Sequence, residues 1–325
     1  MKYRRRIFSV LLLLAAGGRA LAQDAPRPVP TENVTVTGIK DVDQAVTKFV
    51  GSMTVPTRTA DKIARWKQGI CPLTAGLRPE AVKFVTRRVK DVAAQVGAPV
   101  NDRDDCKPNI EIIFTTTPQA LLDNVQVMYP FVLGYHDNSA QAAQLAKVIW
   151  PIQSWYSTAT DDLRGNVVID MARRKGMPMT LDMPVASAGG GGGMQGIVSP
   201  TVTMNIPDAQ IVNVTGSRLG DGVSSDFHHV VVVAEPAKLL DHEIGTLADY
   251  IALLALAQTV QPEQCQELPT ILNLFAPGCT APPKALTNVD LAYLRAVYKM
   301  TATTTARGQR GEIIYQMDKS LGAEK

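Results

Sequence analysis

The chain lacks several features that would assign it directly to a functional class. After residue 22 it has no apolar run of the roughly twenty residues that a membrane-spanning helix needs. Its 33 basic and 30 acidic residues nearly balance, so no concentrated basic face indicates a nucleic-acid binder. It contains no Gly-x-Ser-x-Gly elbow and no Cys-x-x-Cys pair. The five glycines at 189–193 are not followed by the Gly-Lys-Ser/Thr ending of a phosphate loop, so they are interpreted as a surface loop.

The first 22 residues have the three parts of a cleaved secretory signal peptide. Lys2 and the arginines at 4–6 form a positive region, residues 7–16 are apolar, and Ala20-Leu21-Ala22 offers a cleavage site. We therefore predict a periplasmic or secreted mature protein with no membrane span, exported by the general secretory or the twin-arginine route. An uncleaved anchor is the alternative, although the apolar region is short for one.

Cysteine usage agrees with export. The chain has four cysteines, Cys71, Cys106, Cys265 and Cys279, an even number that favours disulfides in an oxidising compartment. Three connectivities are possible, and proximity along the chain favours Cys71–Cys106 and Cys265–Cys279. A zinc site is the alternative, but no histidine lies near any of the cysteines.

The pattern of apolar residues predicts an α/β (α+β) fold, with a mixed sheet and packed helices in one disulfide-stapled domain. A flexible leader at 23–33 precedes this domain, which is predicted over 34–300. Its N-terminal α/β part covers 34–135 and its C-terminal part covers 136–300. The polar residues at 301–325 are predicted to form a loosely attached tail.

Individual elements follow from periodicity, caps and β-branched runs. Residues 250–257 are apolar nearly all round, which predicts that this half of its helix is buried in the core. Helices are predicted over 42–52, 79–96, 118–129, 138–148, 239–258 and 288–300. Strands are predicted over 33–38, 109–115, 165–171, 197–205, 209–216 and 227–234.

An incomplete metalloprotease motif occurs at the start of the predicted 239–258 helix. Zinc proteases of the zincin type place two histidines one helical turn apart, as His-Glu-x-x-His, with the glutamate activating a zinc-bound water. His242-Glu243 begins this motif, but Thr246 stands where the second histidine belongs. As it stands, this sequence does not predict a zinc site.

The longer metzincin motif, His-Glu-x-x-His-x-x-Gly-x-x-His, aligns with residues 248–258. Ala248, Ala252 and Gln258 then stand at the ligand positions and Asp249 at the glutamate. A β-prone run precedes the helix, Leu-Pro-Thr-Ile-Leu-Asn-Leu-Phe at 268–275 looks like the turn after a metzincin zinc helix, and 286–298 is similar to the closing helix. The last hundred residues therefore resemble a metzincin-type protease whose zinc ligands are lost.

The chain also resembles a group of exported bacterial proteins of unassigned activity. They share its Cys-x-Pro-Asn-Ile strand, its Ala-Asp-Tyr-Ile-Ala helix and its Leu-Pro-Thr-Ile-Leu-Asn loop. This second resemblance implies no substrate. The first implies a zincin-like C-terminal half, and because alanines cannot bind a metal and glutamine is a poor zinc ligand, its protease activity is not carried over. A buried core helix with no protease ancestry is the alternative.

Asp249 is the first candidate functional residue, because a buried aspartate needs a partner. Arg218 or Arg295 is the predicted partner, in a structural ion pair or in a binding pocket. His228 and His229 open a strand and should point to opposite faces, with one of them exposed. A metal site that uses His136, His228 or His242 with an acidic residue is an alternative that no ligand spacing supports.

We therefore predict a non-catalytic protein that binds a peptide or an envelope partner in an inherited cleft over the 239–258 helix, where a sheet edge offers pairing to an extended chain. No catalytic residue, metal or cofactor is predicted. The alternatives are an active metal-dependent hydrolase and a purely structural accessory protein of the envelope. The candidate binding residues are His228, His242, Glu243, Asp249 and Gln258.

Overall fold

A computed structural model describes residues 42–103, 105–162, 166–170, 179–182, 201–204 and 222–322. Several predictions lie outside these residues and are not taken further. They are the signal peptide at 1–22, the leader at 23–33, the strands at 33–38 and 209–216, the glycines at 189–193, and Arg218.

Five strands form a mixed sheet in the order β1-β2-β7-β3-β4. The strands β1, β2 and β7 run parallel, whereas β3 is antiparallel to both β7 and β4. Two further strands, β5 and β6, pair with each other. The bounds are β1 Pro72–Ala75, β2 Ile110–Phe114, β3 Ile152–Asp161, β4 Val167–Ile169, β5 Met179–Asp182, β6 Thr201–Met204 and β7 Ser224–Ala234.

Seven α-helices are found in the described residues, and the predicted α/β class is confirmed. Prolines open α2 and α3, and Thr287 caps α6. Short 3₁₀ turns occur at Pro130–Leu133, Pro236–Lys238 and Ile271–Phe275. The helices are α1 Val42–Met53, α2 Pro79–Val96, α3 Pro118–Met128, α4 Ser139–Leu145, α5 Ile244–Leu256, α6 Asn288–Lys299 and α7 Ala306–Gly322.

The sheet is covered on both faces, as expected for parallel strands with continuous apolar runs. Alternate residues of β2 divide between the two sides: Ile110 and Ile112 belong to the cluster that contains α2, α5 and α6, and Ile113 belongs to the one that contains α3. The strands come from both predicted parts of the chain, 34–135 and 136–300. Both parts therefore build one sheet.

The helix α5 lies sealed in the core. Every residue from Thr246 to Leu256 is buried, because a helix that is apolar on all sides has no face suited to water. It begins at Ile244 rather than at 239, since a 3₁₀ turn and a loop occupy the preceding residues. The prediction of a cleft over this helix is therefore wrong, because the described residues cover α5 on all sides.

Both predicted disulfides are confirmed. Cys71 pairs with Cys106 and Cys265 pairs with Cys279. The first bridge joins the residue before β1 to the loop before β2, and the second closes a short loop between α5 and α6. Two disulfides are compatible with a location outside the cytoplasm. Among the helices described, not one combines the length and the apolar character needed to cross a membrane.

The prediction of a loosely attached tail is wrong for residues 301–322. Residues Ala306–Gly322 form α7, whose Ile313 and Met317 are fully buried against the core. Because these side chains recur four residues apart in an otherwise polar sequence, the apolar stripe of the helix is too narrow to be recognised from the sequence. The Gln309 side chain accepts a hydrogen bond from the Ile63 amide at 2.7 Å, and Lys62 donates to the carbonyl of Thr304 at 2.8 Å.

We expect Ile313→Ala to lower the free energy of unfolding by about 2–4 kcal/mol, because it leaves a cavity in the core. Tyr315→Ala on the same helix is the control, since Tyr315 is 64% exposed and exposed substitutions change stability by about 0.5 kcal/mol or less. Chemical denaturation of both variants measures the difference. Equal midpoints for Ile313→Ala and the unmodified protein would show that α7 does not belong to the folded core.

Candidate functional site

The buried carboxylate of Asp249 joins three elements. Arg88 on α2 donates to it through Nε and, at 2.9 Å, through Nη2, and the amide of Leu286 donates at 2.9 Å. The prediction of an ion pair is confirmed, but the prediction that Arg295 is the partner is wrong, because the carboxylate pairs with Arg88. Charge-assisted bonds of this kind offset the cost of burying the pair. Asp249 therefore belongs to a structural ion pair and does not line an open pocket.

His242 and Glu243 do not lie on α5. Glu243 is the exposed residue that precedes the helix, and its side chain makes no capping hydrogen bond. The His242 ring packs edge-on against Phe275, with 5.3 Å between ring centroids. A zincin motif needs its histidine and glutamate within the helix, so these two residues are not arranged as in that motif.

The five candidate residues are not gathered into one site. Gln258 follows the C-terminal end of α5 and Glu243 precedes its start, which separates them by about 20 Å at 1.5 Å per residue. His228 lies on β7 at a bulge opposite Ser157 and Thr158. A single small ligand therefore cannot contact all five.

The expectation that one of the two adjacent histidines is exposed is wrong. His229 is 8% exposed and His228 is partly buried. Burial, followed by electrostatic effects of His229 and Lys107, lowers the pKa of His228 to about 4. His228 is therefore neutral in the folded protein at neutral pH.

A second buried carboxylate, Asp290, orders the start of α6. It accepts hydrogen bonds from the hydroxyl of Thr270, from the Ile271 amide at 2.9 Å and from the Thr287 amide at 3.0 Å. Burial raises the pKa of Asp290 to about 6, and these hydrogen bonds act in the opposite direction. Together with Thr287 it forms a capping box. Like Asp249, it is a structural carboxylate.

A different polar pair lies on the opposite face of the sheet. Glu111 on β2 is 1% exposed, and one of its carboxylate oxygens lies 3.4 Å from Nε2 of His229 on the neighbouring strand β7. Neither carboxylate oxygen and neither ring nitrogen has a hydrogen-bond partner among the described residues. Buried polar groups without partners are rare and costly, so this pair differs from Asp249 and Asp290, whose carboxylates accept several hydrogen bonds each.

A pocket opens beside this pair, between the sheet and α3. Its cavity volume is about 10 Å³, and Glu111 is the one charged residue in its wall. A cavity of this size has room for about one water molecule. The remaining wall is apolar and consists of Ile113, Leu121, Leu122, Val125, Val132, Trp155, Val231 and Val233.

Ser157 on β3 stands directly opposite His229, and Glu111 on β2 stands opposite Val231, two residues further along β7. Nucleophilic catalysis requires a hydrogen bond between the serine and its base. The Ser157 hydroxyl instead donates to the carbonyl of Phe131 at 2.9 Å, and His229 has no hydrogen-bond partner in the described part of the chain. Ser157, His229 and Glu111 are therefore not arranged as a catalytic triad.

Within the described ranges, no three histidine, cysteine, aspartate or glutamate side chains are grouped to hold a metal ion. The chain matches no protein-family profile, and no curated protein or solved structure is detectably similar to it.

Sequence reasoning missed Arg88 and Glu111, although each left a signal. Arg88 falls between Val85 and Val92 on the valine stripe of α2, where a charged residue needs a buried partner. Glu111 is the only charged residue of the buried strand Ile110–Phe114. A buried polar residue is more informative about structure and function than an exposed apolar one. On this ground, both Arg88 and Glu111 could have been predicted to be buried charged residues.

We expect Asp249→Asn to lower the free energy of unfolding by about 3–5 kcal/mol, because it leaves the charge of Arg88 buried without its partner. The control is Asp105→Asn, which removes the exposed ion pair with Arg103 and should leave the free energy of unfolding almost unchanged, because water screens such pairs. Urea unfolding measures both. Similar losses for the two variants would contradict a special role for the buried pair.

The lowered pKa of His228 predicts a loss of stability in acid. The unfolded chain binds a proton near the ordinary value of 6.5, and the folded protein does so only at about 4. As the pH falls between these values the unfolded state binds more protons, so the free energy of unfolding decreases, by roughly 2–3 kcal/mol for this group. His228→Gln should flatten the curve of stability against pH over this range. An unchanged curve would show that His228 titrates normally.

Proposed function

We propose that this protein is an exported, non-catalytic binding protein that recognises a peptide or an envelope partner. The observation that carries the proposal is the Glu111–His229 pair, buried and without hydrogen-bond partners beside an apolar pocket. A binding partner would supply the missing hydrogen bonds. The two disulfides support a role in an oxidising compartment.

Descent from a zincin-type protease is part of this proposal. The strand β7 leads through a 3₁₀ turn into the buried helix α5, and a second 3₁₀ turn and the capped helix α6 follow. This is the order of elements that the metzincin resemblance implies. At the position of the catalytic glutamate, Asp249 is bound to Arg88. In such a descendant, the former metal site would have become part of the core.

The binding site lies on the other face of the sheet. Since α5 is covered on all sides, a ligand has no access to Ala248 or Ala252. The small apolar hollow beside α3 has a volume of about 10 Å³, and the one charged group in its wall is the Glu111 carboxylate. We therefore propose that binding takes place at Glu111 rather than over the long helix.

Binding is tested with the purified mature protein on an immobilised library of random hexapeptides. We expect the unmodified protein to retain a defined subset, and Glu111→Gln to lose that subset, because the amide keeps the size of the side chain but removes its charge. Asp105→Asn, which alters an exposed carboxylate, is the matched control and should bind normally. Retention of no peptide, or equal retention by Glu111→Gln, would contradict the proposal and favour a structural accessory protein.

The same incubations separate binding from hydrolysis. Mass spectrometry of the recovered peptides should find them intact. Cleavage that a chelator abolishes would instead establish the metal-dependent hydrolase.

A further inference from the structure

We infer that the Cys265–Cys279 disulfide is a reversible thiol–disulfide exchange site in the folded protein, and that its co-substrate is a dithiol, as the cysteine pair of a protein oxidoreductase presents it. The Cys71–Cys106 bridge is structural and does not exchange. The exposure of Cys265 and the contacts that hold the loop between the two cysteines point to this chemistry. The site is separate from Glu111, and its chemistry does not depend on peptide binding.

The two bridges differ in exposure. Cys265 is exposed and Cys279 is partly buried, whereas Cys71 is only 4% exposed and Cys106 is partly buried. Thiol–disulfide exchange begins with the attack of a thiolate on one of the two sulfur atoms, so its rate depends on access to that sulfur. An incoming thiolate therefore reacts first with the second bridge, at Cys265.

The loop between Cys265 and Cys279 is closed by hydrogen bonds as well as by the bridge. The Cys265 amide donates to the carbonyl of Pro277 at 3.1 Å. Inside the loop, the buried side chain of Asn273 accepts a hydrogen bond from the Gln266 amide at 2.8 Å and donates to the Gln266 carbonyl at 3.1 Å. These hydrogen bonds do not involve sulfur, so they keep the two cysteines close together after the bridge is reduced.

Apolar side chains anchor the same loop to the core. Leu268, Ile271 and Leu272 are at most 1% exposed and belong to the cluster that contains α5 and α6. The Ile271 amide also donates to the buried carboxylate of Asp290 at 2.9 Å. Reduction therefore breaks the sulfur–sulfur bond without releasing the loop into solvent, and the reduced protein keeps its fold.

A loop that stays closed selects a dithiol over a monothiol. In the first step a thiolate attacks Sγ of Cys265, a mixed disulfide forms, and Cys279 leaves as a thiolate. Because Cys279 stays close by, it attacks the mixed disulfide, expels a monothiol and restores the bridge. A dithiol instead attacks its own sulfur in the mixed disulfide with its second thiolate and releases Cys265. The protein gains two electrons and two protons, and the dithiol loses them as it becomes a disulfide.

Incubation of the folded mature protein with dithiothreitol, or with 2-mercaptoethanol at the same thiol concentration, tests this assignment. Iodoacetamide then labels the free thiols, and peptide mass spectrometry identifies them. We expect dithiothreitol to make Cys265 and Cys279 available for labelling at least about tenfold faster than Cys71 and Cys106, with an unchanged near-ultraviolet circular dichroism spectrum. The monothiol should reduce neither bridge. After removal of dithiothreitol, oxidised glutathione should restore the bridge.

Two variants control for the structural part of the inference. Cys265→Ser combined with Cys279→Ser removes the exchangeable bridge, and should keep the circular dichroism spectrum of the unmodified protein while losing all rapid labelling. Asn273→Ala keeps the bridge but removes the hydrogen bonds that hold the two cysteines together. In this variant, 2-mercaptoethanol should therefore reduce the bridge.

Equal labelling rates for all four cysteines would overturn the inference, and so would labelling that requires a denaturant. Loss of the near-ultraviolet spectrum when Cys265–Cys279 is reduced would overturn it as well, because the fold would then require the bridge. Reduction of the unmodified protein by 2-mercaptoethanol as fast as by dithiothreitol would show that the loop does not select a dithiol, and would overturn the assignment of the co-substrate.

Discussion

A carboxylate placed inside the most apolar helix of the chain organises the core around it. Asp249 would be costly to bury alone, and its position is tolerable only because Arg88 and the amide of Leu286 converge on it. These donors come from α2 and from the residue just before the cap of α6. The hydrogen bonds therefore fix how α2, α5 and the start of α6 are placed relative to one another. Apolar packing alone specifies such placement less strictly, because hydrophobic contacts have no direction.

Consecutive backbone amides connect this interaction to a second one. Leu286 donates to Asp249, and the next residue, Thr287, donates to Asp290. The segment between α5 and α6 is thus bound to buried carboxylates at its end, while the Cys265–Cys279 bridge closes its beginning. At the other end of α6, Arg65 donates to the carbonyls of Tyr298 at 2.9 Å and of Met300 at 2.8 Å, where a positive charge also complements the helix dipole. Both ends of α6 are held by charged side chains.

The sequence predicted those elements whose signals are local. Proline opens α2 and α3, Thr287 caps α6, and the apolar run at 110–114 forms β2 close to the expected bounds. The sequence analysis did not predict β1, β3, β5 or α7. The strands β1 and β5 have only four residues each, and in β3 and α7 polar residues concealed the pattern. The strand β3 interleaves serine, threonine and glutamine with its apolar residues, and α7 buries only a narrow stripe. The partner of Asp249 escaped for a different reason. Arg88 is 161 residues distant in the chain, and periodicity shows that a residue is buried but not which residue it meets.

Buried carboxylates have different surroundings on the two faces of the sheet, and the proposed position of the binding site follows from this difference. On the α5 side, Asp249 and Asp290 are each surrounded by donors and lie where helices must be joined. On the α3 side, Glu111 joins no elements through hydrogen bonds and lines an apolar pocket. An apolar residue at this position would pack there at no desolvation cost. The Glu111 carboxylate has only the His229 ring near it, at 3.4 Å, so it does not hold elements together in the way that Asp249 and Asp290 do. The resemblance to a protease directs attention to α5, whereas the unsatisfied charge directs it to the opposite face.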